Sequence, residues 1–401
     1  MREHASEREK LSITADYYLD VTGELDKAAQ AFQTKIESYP RDARSFSDLA
    51  QIYAERGQYD KADEIGRQDM RLAPDEVSSY ENLASTNLAL QRFDEVRKIL
   101  NEAPAERVDH YLYHSLYELG FVGGDAAAMS EEQKWFAGKP EHENVGLALA
   151  ADTEAYAGHL GKARELTKRA VESAIRSDSK ENGAVWQANA ALEDAGYGDP
   201  KKGREEAAAA VKLAPMSAGT EAEAALAFAM AGDTTRAESL AQDLKKRFPL
   251  DTQMQLVWLT AIRAQIALDA KNPNAAVDGL QDALPVEMGS FPFVNNISCL
   301  YSPYVRGEAY LASGQGAAAV TEFRKILDHS GMVENCWTGA LARLGEARAN
   351  GLDATRLRGA DADAARVRAL AAYSDCLKLW HDADPDIPAL KQAKAEYAKL
   401  Q

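Results

Sequence analysis

The chain reads as an all-α protein: a right-handed α-α superhelical solenoid of helical hairpins that ends in a closing helix. Three observations carry that reading. Four residue classes repeat on one interval of 34 residues: Leu25, Tyr59 and Phe93; Ala28, Ala62 and Val96; Gly23, Gly57 and Gln91; Pro40 and Pro74, with Pro215 and Pro249 keeping the same spacing further on. Within each unit the apolar residues recur at helical spacing, as Phe46, Leu49, Ala50 and Tyr53 do. Apolar residues make up 46% of the 401 positions, enough for a continuous core, yet no apolar run reaches the length of a membrane span.

Each class has a physical task. Phe46, Leu49, Ala50 and Tyr53 give a first helix one apolar face, and Val96, Ile99, Leu100 and Ala103 do the same for a second helix. Gly57 follows a first helix, where a positive φ ends it at little cost. Ala62 is small enough for two helices to approach to roughly 8–10 Å. Pro74 lacks the N–H that would extend the second helix. One such hairpin cannot bury its apolar face alone, so it stacks on a neighbour.

The second-helix alanine serves as a ruler. It places later units at Ala163, Gly203, Ala237, Ala276, Ala319 and Ala369, with one degenerate unit between Val96 and Ala163 around Gly124–Gly138. Ten hairpins result, and the tail IPALKQAKAEYAKL supplies the closing helix. Residues 1–110 hold the regular units, 111–250 degenerate ones, and 251–401 units with longer loops and the terminal helix, all in one solenoid. Residues 1–22 supply only a partial first element. Intervals longer than 34 before Gly203, Ala276, Ala319 and Ala369 imply longer helices or inserted loops, notably around Met288–Tyr301 and Leu352–Asp363.

At Phe46, Leu49-Ala50, Tyr53, Gly57 with Tyr59, Ala62 and Pro74, the units resemble tetratricopeptide repeats (TPR). Gly66 and Asp69 depart from that pattern, standing where the family has a bulky and a small apolar residue, which implies looser packing there. The resemblance implies that first helices line a concave surface and that the chain is a non-catalytic scaffold for a protein or peptide segment. The segments REHASEREKL, VTGELDKA and YPRDA at the start, YVRGEAYL with EFRKILDH, and DADPDIPALKQAKAEYAKLQ at the end are similar to C-terminal repeat arrays of acidobacterial serine/threonine protein kinases. That implies a sensory or interaction region of a signalling protein. With a membrane span between the parent's domains, the array would lie outside the cytoplasm.

The chain itself has no glycine-rich nucleotide loop, HRD-type catalytic loop or DFG triplet, so it is read as no enzyme. A net charge of −17 argues against nucleic acid and anionic membrane surfaces, and direct membrane insertion is not expected. Gly314-x-Gly316-x-x-Ala319 follows a helix, not the strand that a dinucleotide fingerprint requires, so no cofactor is expected. His110 and His114 lie one helical turn apart, but no glutamate completes an HExxH motif, and no metal is expected. Cys299, Cys336 and Cys376 form an odd, widely spaced set that predicts no disulfide framework and leaves the compartment open.

Candidate binding residues fall in two groups. On first-helix positions outside the core face lie Arg44, Ser47, Gln51, Ser78, Glu81, Asn82 and Ser85, with Asp152 and Glu308 in similar places later. Chaperone-binding members of the family clamp a peptide C-terminus with lysines and asparagines. Only Asn82 resembles that clamp, so a neutral or basic segment suits this groove better than an acidic tail. The second group is the connection at 288–310, with Phe291, Phe293, Asn295, Asn296, Tyr301 and Tyr304. It either plugs the solenoid or anchors a partner. Trp135, Trp186, Trp258 and Trp337 are expected in the core. The alternative to a binding scaffold is a self-assembly spacer whose groove holds a neighbouring copy.

Overall fold

The computed structural model describes residues 6–104, 110–291 and 296–401. The first hairpin pairs α1 (Glu7–Asp16), prolonged by a π-helical turn at Tyr17–Thr22, with α2 (Leu25–Ser38). There follow α3 (Ala43–Glu55) with α4 (Tyr59–Leu72), α5 (Val77–Ala89) with α6 (Phe93–Glu102), and α7 (His110–Val122) with α8 (Ala126–Phe136). The middle pairs are α9 (Glu143–Tyr156) with α10 (Leu160–Arg176), α11 (Lys180–Gly196) with α12 (Pro200–Leu213), and α13 (Ala218–Met230) with α14 (Thr234–Arg247). A second π-helical turn, Met254–Trp258, opens α15 (Leu259–Asp269), which pairs with α16 (Pro273–Gly279). The last pairs are α17 (Tyr301–Ala312) with α18 (Gly316–Leu327), and α20 (Trp337–Arg356) with α21 (Ala360–Leu379). Between them sits a single-turn insert, α19 (Ser330–Val333), and α22 (Pro388–Leu400) closes the array. No strand occurs among the described residues.

The physical rules behind the repeat are visible at each position. Ala28, Ala62, Val96, Ala237, Ala276, Ala319 and Ala369 are fully buried where second helices press on their partners. Gly57 sits at φ +70°, and Gln91, its counterpart one unit on, is held at φ 59° without the freedom of glycine. Each helix packs on the next, and first helices also pack on first helices two places on, from α3 on α5 through α15 on α17. That makes a solenoid with an inner and an outer surface. Residues 7–22 form a full first helix, so the partial element expected there is corrected. The longer intervals are absorbed in two ways: before Ala369 by helix, since α20 and α21 occupy most of Leu352–Asp363 and leave a short turn at 357–359, and before Ala319 by the connection that precedes α17. At Gly66 an added Cβ would lie 3.2 Å from Leu83, a close fit. A cavity of about 80 Å³ nevertheless opens among Gly66, Asp69, Ser79 and Leu83.

The solenoid is not an open spring. Gly23 accepts a hydrogen bond from the backbone of Thr252 (2.9 Å), and Gly158 accepts one from Asp384 (3.0 Å). The Ala389 amide donates to Tyr197 (3.1 Å), and the Trp380 indole donates to Tyr156 (3.2 Å). Early and late hairpins therefore touch across the coil.

The connection before α17 and the insert α19 turn inward. Ser290 donates to Ala54 at the end of α3, while the Gln91 side chain accepts from the Ser330 hydroxyl and the Gly331 amide. Cys299 and Cys336, 37 residues apart, are joined by a disulfide with a Cα–Cα distance of 5.7 Å. This corrects the expectation drawn from their spacing: the inward fold of the connection brings them together at the start of α20. Cys376 is free and buried. No described helix is long and apolar enough to cross a membrane.

Candidate functional site

The inner surface of hairpins two to four keeps one open cleft of about 500 Å³. Helix α3 contributes Gln51 and Glu55, α5 contributes Ser78, Glu81, Asn82 and Ser85, and α7 contributes Tyr111 and His114. The inturned connection closes the opposite wall with Ser290, Phe291, Asn296 and Ile297, and Glu334 follows α19. The two groups of candidates thus meet: Gln51, Glu81, Asn82 and Ser85 face Phe291 and Asn296. Ser47 lines the adjoining small cavity, and its hydroxyl accepts from the Asn82 amide at 3.4 Å.

Five described candidates lie elsewhere. Arg44 extends into solvent near Asp48. Asp152 is buried and accepts from the Asn189 amide at 2.8 Å. Glu308 sits on α17 near Arg348 and Glu396, where burial raises its pKa and Arg348 opposes the rise. Tyr301 and Tyr304 belong to α17 and not to a connection; both are buried against Trp337, so of the two readings of this stretch they fit the plug, and their place among partner anchors is corrected. Phe293 and Asn295 lie outside the described residues. Phe291 is largely buried against Trp258, with ring centroids 5.3 Å apart. Trp258 and Trp337 are core residues, whereas Trp135 and Trp186 are half-buried.

The cleft is acidic. Glu55, Glu81 and Glu334 line it, with no lysine or arginine among the described lining residues. Burial pushes the Glu55 carboxyl up to about 7; the Gln51 amide, donating at 2.9 Å, opposes that, and Asp251 and Asp20 add to it. Burial also raises Glu334, against the Ile297 amide that donates to it at 3.2 Å. Behind the cleft, Glu118 on α7 is completely buried, and no donor among the described residues reaches either carboxylate oxygen with hydrogen-bond geometry. Burial, then Glu334 and Asp152, hold it well above the usual carboxylate range, with the Asn335 backbone N–H a weaker opposing influence.

The sequence reading missed Glu55, Glu118 and Glu334. Glu118 had a signal, since His114 and Glu118 stand one helical turn apart on one face of α7. Glu334 had none, because only the inturned insert brings it to α7. His110, paired with His114 on sequence spacing, instead stacks on His142 at 4.7 Å.

No protein-family model matches the chain, and no curated protein matches it. Among solved structures it is similar to yeast Tom70, at 12% identity and a TM-score of 0.41 over 98% of this chain and 96% of that one. It is also similar to a tetratricopeptide repeat protein from Parabacteroides merdae, at 14% identity and a TM-score of 0.28 over 85% and 98% of the two chains. A third likeness is to YrrB, a TPR protein with an unusual peptide-binding site, at 15% identity and a TM-score of 0.24 over 57% and 97%. The hairpins themselves, and not these likenesses, establish the fold.

Proposed function

We propose that this chain is a non-catalytic scaffold that holds an extended protein segment, neutral or basic, in the cleft between α3, α5 and the inturned connection. The observation that carries this reading is the cleft's composition. Three carboxylates, the amides of Gln51, Asn82 and Asn296 and the hydroxyls of Ser78 and Ser85 offer hydrogen bonds, with no described cation to repel a lysine or arginine. Its volume falls within the roughly 300–1,000 Å³ usual for ligand sites. Tyr111, which is 55% exposed at the rim, offers a flat apolar surface for an anchor residue. In this reading backbone amides of the segment meet Gln51 and Asn82, and a basic side chain reaches Glu81 or Glu55. The resemblance of the terminal segments to arrays that follow kinase domains supports an interaction or sensory role in a signalling protein.

A peptide-library pull-down tests the proposal. The wild-type protein should enrich segments bearing lysine or arginine, and Gln51→Ala combined with Asn82→Ala should lose most of that enrichment. Recovery no higher than with the double variant overturns it.

A second reading, self-assembly, is favoured by one observation. Ile13, Tyr17 and Val21 form an exposed apolar stripe along the first helix, at 45%, 50% and 68% exposure. If copies associate there, light scattering shows a concentration-dependent dimer that Tyr17→Glu abolishes; a monomer at all concentrations removes this reading.

A further inference from the structure

We propose that His114, Glu118 and Glu334 bind one divalent transition-metal ion, of the zinc class, at the floor of the cleft. The inference stands apart from peptide binding. One nitrogen and two oxygen ligand atoms from these side chains all lie within 4.8 Å of one another. Ligands about 2.0–2.2 Å from a shared ion sit closer together than that, and small rotamer adjustments supply the difference.

The chemistry favours a cation for three reasons. First, two carboxylates face each other out of water, and an anion buried without a partner is costly. Glu118 is the clearest case, with both oxygens buried and unpartnered among the described residues. A divalent ion would cancel both charges at once. Second, the donor set discriminates. Imidazole with carboxylates suits zinc and its first-row neighbours, whereas magnesium and calcium prefer oxygen alone. Third, three protein ligands leave a further coordination position, and His114 and Glu334 both line the cleft, so that position opens towards it.

The supports of Glu334 are those of a fixed ligand. Its backbone is held at φ 53°, ψ −130°, a conformation rare for a side chain larger than glycine. The Glu334 amide donates to Ser330 at 2.7 Å, and Asn335 next to it donates to Leu149 and Thr153 on α9. Asn335 also accepts from Asn296 at 2.7 Å, and the Cys299–Cys336 disulfide ties down the residue after it. The carboxylate is thereby aimed at α7 by contacts from three directions.

The test uses the full chain, stripped with chelator and dialysed against zinc. Wild type should hold one equivalent per chain and melt at a higher temperature with zinc present. Glu118→Gln and His114→Ala should each weaken binding by about tenfold or more, and Glu118→Gln should lose the zinc-dependent rise in melting temperature. His110→Ala should bind as wild type does. Circular dichroism on each variant confirms that the helices persist; Glu118→Gln, nearly isosteric, is the decisive one. Wild type that takes up no more zinc than Glu118→Gln overturns the proposal. So does one equivalent that survives unchanged in both ligand variants.

Discussion

Between Leu25 and Leu100 the hairpins keep their 34-residue interval, and their inner surface stays open, with Gln51, Ser78 and Asn82 exposed on it. Between Ala276 and Ala369 the interval lengthens, and the additional chain is folded inside. There Arg306, only 1% exposed, reaches Glu287 at 2.6 Å and Glu322 at 2.8 Å and donates to the Leu280 carbonyl at 3.1 Å. Lys325 bridges the same two glutamates at 3.1 Å. The early hairpins have ion pairs as well, and one of them, Arg67 with Asp63 and Glu95 at 3.0 and 2.9 Å, keeps 32% of the arginine side chain exposed. The difference teaches how one repeat serves two purposes. A strict period leaves a concave face free for a ligand; a relaxed period supplies chain that fills the same face from within.

The largest expected effect breaks that contrast directly. Arg306→Met should cost about 3–5 kcal/mol in urea unfolding, because it leaves two buried carboxylates with Lys325 alone to offset them. Arg67→Met should cost no more than about 1 kcal/mol. Equal losses would show that the two ends do not differ as described. Next comes the covalent tie of the inturned connection. Cys299→Ser with Cys336→Ser should remove about 2–4 kcal/mol, and a reducing agent should destabilise wild type but not the double variant.

A smaller effect probes the wall of the cleft. Glu55 takes up its proton at about 7 in the folded protein, against an ordinary value of 4.5. Across that window the folded state holds a proton that the unfolded chain releases, so the contribution is complete below the ordinary value and is lost as pH rises through 7. Glu55→Gln should therefore be more stable than wild type at pH 8, by on the order of 2 kcal/mol, and lose that advantage at pH 4. Thermal melts at the two pH values check the sign. The smallest effect belongs to the open face itself. Gln51→Ala with Asn82→Ala should shift stability by no more than about 0.5 kcal/mol, so any loss of peptide enrichment reports on the cleft and not on folding.

Much of the fold was legible because its signals are local. Ala62 and Val96 are small or compact where two helices must approach, and Pro74 stops a helix wherever it stands. Groove candidates at Gln51, Glu81, Asn82 and Ser85 followed from helix periodicity together with the concave surface that the repeat resemblance implies, and these four line one cleft. The remainder was not legible because it depends on the coil closing. Cys299 and Cys336 carry no spacing motif, and they meet only once the connection folds inward. Tyr301 and Tyr304 look like loop aromatics beside glycine, proline and asparagine, yet α17 begins early enough to bury them. Glu334 acquires its neighbours from α7, more than two hundred residues away in sequence, and no local pattern encodes that approach.

The bonds that link Gly23 to Thr252, Gly158 to Asp384 and Tyr197 to Ala389 have a consequence for how this molecule comes apart. Repeat arrays ordinarily fray from their ends, each unit answering only to its neighbours. Here the ends are clasped to the middle, so opening one hairpin forfeits contacts on another several hairpins further along the chain. In a calorimeter such a chain absorbs its heat in one sharp endotherm and not as a staircase of small ones.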